Sequence, residues 1–240
     1  MSTYVLVHGA WHGGWCWSRL APVLRARGHT VYTPDLPGHG DKRTDARKIS
    51  ARDYIDTIQN LVSGQPDRVI LLGHSMAGMV ISGVAERIPE HIETLVYLGA
   101  FLLIDGESIN DLEGRVDGSL LTPHMMLSRD KTSFRAPIDI AREALYADCS
   151  EEDYRFALAG LQPQPVLPFI TPLAVSAARY GSVRRIYIEC LKDRSLPPAA
   201  QRFMHTRMQC EKIFTLDAGH AAFFSACNEL ADILLTLKTA

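Results

Sequence analysis

The stretch "RVILLGHSMAG", residues 68–78, joins an apolar strand pattern to an apolar helix pattern through a short turn that contains Ser75. The small residues Gly73, Ala77 and Gly78 surround this serine, and small residues let a strand and a helix approach closely. Ligands of open α/β sheets bind at the carboxyl ends of the strands. A sharp strand-to-helix turn therefore places the Ser75 hydroxyl where a ligand would bind. The alternative is a serine that only caps the helix.

Strand and helix patterns alternate on both sides of this segment. Short apolar runs rich in β-branched residues are typical of parallel strands that are covered on both faces. The predicted strands cover residues 3–8, 29–34, 68–73, 92–99, 184–190 and 212–216. The predicted helices cover residues 17–28, 50 to about 63, 76–88, 198–208 and 229–238. This order predicts an α/β fold with a mostly parallel sheet of about six strands and helices on both faces.

One long stretch, from about residue 102 to residue 180, lacks the strand pattern. Short helix signals, such as the capping serine Ser150 in "SEEDYRFAL", are mixed there with several prolines. We interpret residues 102–180 as a helical cap, or lid, inserted into a core that residues 1–101 and 181–240 form.

The composition is that of an ordinary globular protein, with 47% apolar and 22% charged residues among 240. Its 27 acidic and 25 basic residues give a net charge of −2, which favours neither nucleic acid nor membrane as a partner. The opening "MSTYVLVHG" enters a strand pattern directly, and no apolar run approaches the roughly 20 residues that cross a bilayer. We therefore expect no signal peptide and no membrane span.

The five cysteines include no C-x-x-C pair, which indicates free thiols rather than a disulfide framework or a zinc site. Free thiols are typical of a reducing compartment, so a soluble, cytoplasmic protein is expected.

Two residues far from Ser75 complete a candidate catalytic set. A serine hydroxyl is a weak nucleophile unless a base accepts its proton and an acid orients that base. In proteins with a turn of the form G-x-S-x-G, the serine of the turn comes first along the chain, the acid second and the histidine third. Asp193, after the fifth predicted strand, and His220, after the last, occupy this order. Asp105, after the fourth strand, and Asp217, close to His220, are the competing acids.

The loop after the first strand, "HGAWHGGWCW" at residues 8–17, adds a further candidate group. The N–H of Ala10 in this loop and the N–H of Met76 at the start of a helix are candidate donors to an oxyanion. His8 and His12 could bind a metal ion, but no third ligand is spaced for one. We therefore expect structural roles for both histidines and no metal.

Two apolar stretches in the predicted cap, "PHMML" at 123–127 and "PVLPF" at 165–169, suit an adaptable pocket because methionine fills irregular space. Each pocket candidate has a structural role as its alternative, in holding the cap on the sheet. The candidate substrate-binding residues are Trp11, Phe101, Met125, Met126, Leu145, Phe169 and Ala221.

Seven segments, taken in order, resemble the α/β-hydrolases of the plant methylesterase and hydroxynitrile lyase group and their bacterial esterase relatives. They are "VLVHGAWHGGWCW", "DLPGHG", "VILLGHSMAG", "LVYLGAF", "LYADCSEED", "KDRSLPPAAQRFM" and "DAGHAAFF", and they span nearly the whole chain. The resemblance implies the α/β-hydrolase fold with a helical cap. It implies a carboxylesterase-type serine hydrolase that uses a Ser75–Asp193–His220 triad, donors at Ala10 and Met76, and no cofactor. Its substrates would be esters with bulky apolar groups, such as xenobiotic or methyl esters, cleaved through an acyl-enzyme intermediate.

The sequence departs from this group at two positions. Ala77 stands where the second glycine of the turn is usual. Hydroxynitrile lyases carry a lysine directly after the catalytic histidine, and Ala221 at that position favours ester hydrolysis over carbon–carbon cleavage. Three alternative functions stay open: the lyase reaction, a cofactor-free dioxygenase of the same fold, and a ligand-binding receptor with residual hydrolase activity. The expected partner is a small-molecule ester, and a homodimer stays open.

Overall fold

A computed structural model of the protein describes residues 1–41 and 45–237. The strands in these ranges are β1 (Thr3–Val7), β2 (Thr30–Tyr32), β3 (Val69–His74), β4 (Ile92–Leu98), β5 (Met126–Leu127), β6 (Ser133–Arg135), β7 (Gln164–Pro165), β8 (Arg185–Cys190) and β9 (Lys212–Leu216). The α-helices are α1 (Leu20–Ala26), α2 (Ala51–Ser63), α3 (Ala77–Arg87), α4 (Ile109–Glu113), α5 (Ile138–Leu145), α6 (Glu151–Gly160), α7 (Leu167–Ile170), α8 (Pro198–Arg207), α9 (Ala222–Ser225) and α10 (Cys227–Leu235). Short 3₁₀ helices cover Gly14–Trp17, Ala46–Lys48, Pro89–His91, Thr122–His124 and Tyr180–Ser182.

The larger sheet has six strands in the order β2-β1-β3-β4-β8-β9, and every neighbouring pair is parallel. This confirms the predicted α/β fold. All six residues of β3, at the centre, are buried. Their continuous burial explains why the strand is an apolar run rather than an alternating one.

Helices α2 and α3 show how local sequence sets the helix ends. Ser50 accepts a hydrogen bond from the N–H of Asp53, whose carboxylate accepts from the N–H of Ser50 at 2.7 Å. This is a capping box, and it lies at the predicted start of the helix. The residues of α3 from Ala77 to Ala85 are all buried, and the helix packs against α2 and β3. That packing accounts for the nearly complete absence of a polar face on α3.

The region between β4 and β8 is only partly helical, unlike the predicted cap. Helices α4 to α7 lie there, but so does a small antiparallel sheet in the order β5-β6-β7. The side-chain amide of Gln164 in β7 donates to the Tyr54 hydroxyl of α2 at 3.1 Å, which joins this region to the core. The division into residues 102–180 as a cap and the remainder as a core stays a prediction.

The predicted elements of the core agree with the observed ones to within a few residues. The largest difference is at the end of the chain, where the short helix α9 precedes α10. Residue 238, the last of the predicted helix 229–238, lies outside the described residues. No helix within residues 1–41 and 45–237 is long and apolar enough to cross a membrane.

Candidate active site

Ser75 lies in the turn between β3 and α3 in a strained backbone conformation. Its φ of +54° falls in the left-handed region that residues other than glycine rarely adopt. A Cβ atom on Gly73 would lie 2.7 Å from the Ala77 carbonyl oxygen, and one on Gly78 would overlap the backbone of Phe101. The small residues around Ser75 are therefore required by the close approach of strand and helix.

Asp193 and His220 form a buried hydrogen-bonded pair. The Oδ2 atom of Asp193 lies 2.7 Å from Nδ1 of His220, and the two residues are only 3% and 2% exposed. Oδ1 of the same carboxylate accepts the N–H groups of Ser195 and Leu196, each at 2.8 Å. Because an ionised carboxylate only accepts, Nδ1 carries the imidazole proton and Nε2 is left as the basic nitrogen.

The two competing acids lie elsewhere. Asp105 is exposed, and its Oδ1 accepts the N–H of Val175 at 2.9 Å. Asp217 is also exposed and forms an ion pair with Lys192 at 2.7 Å. Of the three candidate acids, the structure brings Asp193 to His220.

Two side chains that the sequence analysis did not single out hold the loop of His220. Nε2 of His74 lies 2.9 Å from the backbone oxygen of His220 and donates to it, and the two rings are 4.5 Å apart. Burial lowers the pKa of His74 well below its usual value, so this ring is neutral. Asp148, from the segment after α5, accepts the N–H of Gly219 at 2.6 Å. These partners are 146 and 71 residues apart in sequence, and no local pattern indicates them.

Gln201 in α8 fixes the loop that carries Asp193. Its Nε2 donates to the carbonyl oxygens of Cys190 and Leu196, at 3.1 and 2.8 Å, and its Oε1 accepts the N–H of Cys190 at 3.0 Å. Gln201 is completely buried. The sequence analysis missed this role, although Gln201 lies inside the segment "KDRSLPPAAQRFM" that carries part of the resemblance.

The two candidate oxyanion donors, Ala10 and Met76, are buried. Met76 is next to Ser75 in the sequence, and Ala10 is close to it in space. Met76 directly follows Ser75, and Ala10 follows Gly9, on which a Cβ atom would lie 2.9 Å from Cβ of Ser75. Within residues 1–41 and 45–237, neither the Ala10 N–H nor the Met76 N–H donates a hydrogen bond. A buried N–H without a partner is uncommon, so both amides are available to an oxygen of a bound molecule.

His8 and His12 are buried, and all four of their ring nitrogens have hydrogen-bond partners in the protein. Burial lowers the pKa of His8 well below its usual value and that of His12 to about 3, so both rings are neutral. In the described part of the chain, no group of three or more His, Cys, Asp or Glu residues is arranged to hold a metal ion.

A cavity of about 210 Å³ is lined by two of the seven predicted substrate-binding residues, Trp11 and Leu145, and by none of Ser75, Asp193 and His220. Trp11 directly follows Ala10. The backbone oxygen of Leu145 accepts the N–H of Ala221 at 3.1 Å, beside His220. The rest of the lining is mainly apolar and comes from β6, α5 and α6 and from the residues that follow β6 and α6.

The other five predicted substrate-binding residues do not line this cavity. The N–H of Phe101 donates to the Ser75 carbonyl at 3.0 Å, close to the start of α3. Phe169 packs on Phe134, with the ring centroids 4.8 Å apart. Met125 is half-buried against the core, while the side chain of Met126 is 53% exposed on β5. Ala221 is buried at the start of α9.

Known proteins resemble this chain over nearly its whole length. The sequence profile of the alpha/beta hydrolase family matches residues 4–233. Salicylic acid-binding protein 2 from Nicotiana tabacum is 34% identical over 256 residues, which cover 98% of this chain and 96% of that protein. Methylesterase 18 from Arabidopsis thaliana is 31% identical over 250 residues, which cover 97% and 95%. The crystal structure of a pyrethroid hydrolase from Sphingobium faniae JZ-2 has a TM-score of 0.86 and 27% identity, with 98% and 96% covered. The chain therefore belongs to the alpha/beta hydrolase family, as a carboxylesterase-type enzyme related to the plant methylesterases and to bacterial ester hydrolases.

Proposed function

We propose that the protein is a serine hydrolase that cleaves carboxylic esters with bulky apolar groups through an acyl-enzyme intermediate. The observation that carries this proposal is the buried contact of 2.7 Å between Asp193 Oδ2 and His220 Nδ1. It leaves the basic Nε2 of His220 at the sheet edge where Ser75 has its strained conformation. Strain in the backbone at such a position is typical of a functional site.

In the proposed mechanism, Ser75 Oγ attacks the ester carbonyl while His220 Nε2 accepts its proton. Asp193 holds the imidazole in the required tautomer and stabilises the imidazolium that forms. The N–H groups of Ala10 and Met76 donate to the oxyanion of the tetrahedral intermediate. His220 then protonates the leaving alcohol. Water attacks the acyl group with His220 as base, and the carboxylic acid and free Ser75 are released.

The cavity supports an ester with an apolar group as the substrate. Its lining includes Trp11, Leu145, Leu158 and Leu161, and Trp11 directly follows the proposed oxyanion donor Ala10 in the sequence. Relatives named as a methylesterase and a pyrethroid hydrolase support an ester as the substrate.

The free thiols support the proposed cytoplasmic location. All five cysteines lie in the described ranges and none is in a disulfide. Three of them, Cys16, Cys149 and Cys190, are buried, and burial raises their thiol pKa, which keeps them unreactive.

The test is hydrolysis of p-nitrophenyl esters of increasing acyl size by the purified protein and by Ser75→Ala. Loss of the nucleophile should lower kcat by about 10⁶-fold. A serine-directed organophosphate should label Ser75, as located by mass spectrometry of the peptides. Near-normal hydrolysis by Ser75→Ala would contradict the proposal.

Ser82→Ala is the matched control for the substitution at position 75. Ser82 is also buried, on α3; its hydroxyl donates to the Gly78 carbonyl at 2.7 Å and accepts from the Tyr97 hydroxyl at 2.7 Å. Loss of these two hydrogen bonds should cost about 2 kcal/mol of stability, at the usual value of about 1 kcal/mol for each, and leave kcat unchanged.

A further inference from the structure

His8 holds the peptide group that carries the proposed oxyanion donor. The Gly9 carbonyl and the Ala10 N–H belong to one planar peptide, so a bond that fixes the carbonyl also fixes the N–H. Nδ1 of His8 lies 2.8 Å from the Gly9 oxygen, and its Nε2 accepts the N–H of Leu36 at 3.0 Å. Because Nε2 accepts, Nδ1 carries the proton and donates. Donation to the carbonyl also polarises the N–H of the same peptide.

His12 holds the next carbonyl in the same manner. Its Nδ1 lies 2.7 Å from the Ala10 oxygen, and its Nε2 lies 2.6 Å from the Tyr146 hydroxyl. Burial raises the pKa of Tyr146 well above its usual value, so the hydroxyl keeps its proton and donates it to Nε2. Nδ1 of His12 therefore donates to Ala10. Tyr146 directly follows α5, so this bond ties the loop to the predicted cap.

Trp11 shows that the loop is held in a conformation it would not adopt alone. Its φ of +65° lies in the left-handed region, which is unfavourable for a bulky side chain. Two further hydrogen bonds hold it there: its Nε1 donates to the Phe134 oxygen at 3.2 Å, and its oxygen accepts the N–H of Gln162 at 2.9 Å. Strained residues that their surroundings hold in place cluster at functional sites.

We propose that His8 and His12 are positioning residues that aim the Ala10 N–H at the oxyanion, and that Tyr146 connects this function to the cap. The inference rests on the proposed serine hydrolase mechanism. Both histidines act through backbone carbonyls, since the ring nitrogens of His8 bond to the backbone of Gly9 and Leu36 and those of His12 bond to the Ala10 carbonyl and the Tyr146 hydroxyl. The segment that shapes the substrate cavity thereby also sets the geometry of the transition state.

The test compares two substitutions at each histidine. The amide nitrogen of asparagine can take the place of Nδ1 and keep the hydrogen bond to the carbonyl, whereas leucine removes it. His8→Leu and His12→Leu should lower kcat by about 100-fold at nearly constant KM, the effect of a small misplacement of a catalytic group. His8→Asn and His12→Asn should recover a large part of this loss. Tyr146→Phe, the mildest change, should lower kcat by about tenfold, since the displacement it allows is smaller.

A trifluoromethyl ketone separates positioning from general damage, because Ser75 adds to it and leaves an oxyanion in the same place. Its affinity should fall in parallel with kcat across the variants, while the affinity for the alcohol product, which has no oxygen at the oxyanion position, stays the same. Tyr4→Phe is the matched control. It removes another buried hydroxyl, which donates to the Leu234 oxygen at 3.0 Å, and should lower the melting temperature without changing kcat.

Two results would overturn the inference. One is a wild-type kcat in the folded leucine variants, and the other is a ketone affinity that does not follow kcat. If the leucine variants do not fold, Tyr146→Phe and the asparagine variants decide by the same criteria. Failure of the proposed serine hydrolase mechanism would give a different result, because Ser75→Ala would then remain active.

Discussion

At the scale of single residues, the hydrogen bonds of Asp193 define a sharp test of its role. Its Oδ1 is occupied by two backbone N–H groups, so in Asp193→Asn the amide oxygen stays there and the NH₂ group faces His220 Nδ1. Two donors cannot face each other, and the proton of His220 therefore moves to Nε2, where it blocks the base. We expect kcat for an activated ester to fall on the order of 10⁴-fold with little loss of stability.

Asp105→Asn and Asp217→Asn are the matched controls for this prediction. Both carboxylates are exposed, and the ion pair of Asp217 with Lys192 contributes at most about 1 kcal/mol. Each control should keep kcat within a factor of about three. This is well under the tenfold change that corresponds to one pKa unit, or about 1.4 kcal/mol. If Asp105→Asn were the inactive variant, the catalytic acid would be at the end of β4.

What the sequence revealed about the site depended on the range of each interaction. Ser75, Asp193 and His220 follow strand ends in a fixed order, which can be read along the chain. Other side chains act by hydrogen-bonding to backbone atoms, namely those of His8, His12, His74 and Gln201. Every residue has the same backbone atoms, so these contacts leave no pattern in the sequence. Only folding shows that the His12 ring meets a tyrosine 134 residues away.

At the scale of elements, the start of α3 allows a paired test at adjacent positions. A Cβ atom on Gly78 would overlap the carbonyl of Phe101, and backbone cannot yield as a flexible side chain can. Gly78→Ala should therefore displace α3 and the Ser75 carbonyl, which accepts the N–H groups of both residues 78 and 101. We expect a lower melting temperature and a loss of most activity.

Ala77→Gly provides the comparison, since it restores the usual glycine of the turn. It should cost about 1 kcal/mol, the difference between the two residues in a helix, and keep kcat. Equal stability and activity of the two variants, measured by thermal unfolding and ester hydrolysis, would show that the close approach at residue 78 is not required.

The elements that the sequence analysis missed are the short ones. Strands β5, β6 and β7 have two or three residues each, which is too few to show alternation, and α9 has four, about one helical turn. The capping box of α2 could be predicted because it lies within four consecutive residues. The fold of the segment between β4 and β8 depends instead on contacts with the rest of the chain.

At the scale of the whole molecule, the parallel sheet explains why distant residues meet. Ser75, Asp193 and His220 follow the carboxyl ends of β3, β8 and β9, and these ends lie at one edge because all the strands run in the same direction. This part of the architecture followed from strand order alone. The attachment of the region between β4 and β8 did not, since it depends on buried polar contacts such as that of Glu107.

Glu107, just before α4, is 3% exposed and forms two hydrogen bonds of 3.0 Å with Arg207 at the end of α8. Arg207→Met removes this partner and leaves the buried carboxylate with the Nη1 of Arg115, whose side chain is 57% exposed, and the N–H of Ile104 at 3.4 Å. Loss of one partner from a buried pair costs 3–5 kcal/mol in general, and because Arg115 remains we expect about 3 kcal/mol in the free energy of unfolding by urea. The double variant Glu107→Leu/Arg207→Met should recover much of this loss, since no buried charge is then left.

Arg155→Met is the control for that measurement, because it removes an exposed ion pair instead of a buried one. Arg155 forms an ion pair with Glu151 at 2.9 Å, but its side chain is 76% exposed, so its loss should cost less than about 1 kcal/mol. The two arginines form ion pairs of similar length and differ in burial and in the distance along the chain that each pair joins. If Arg207→Met proved no more destabilising than Arg155→Met, the contact between residues 107 and 207 would not be what holds the segment before α4 to the end of α8. The apolar packing around Ile109 and Leu112, both fully buried, would then have to carry that attachment.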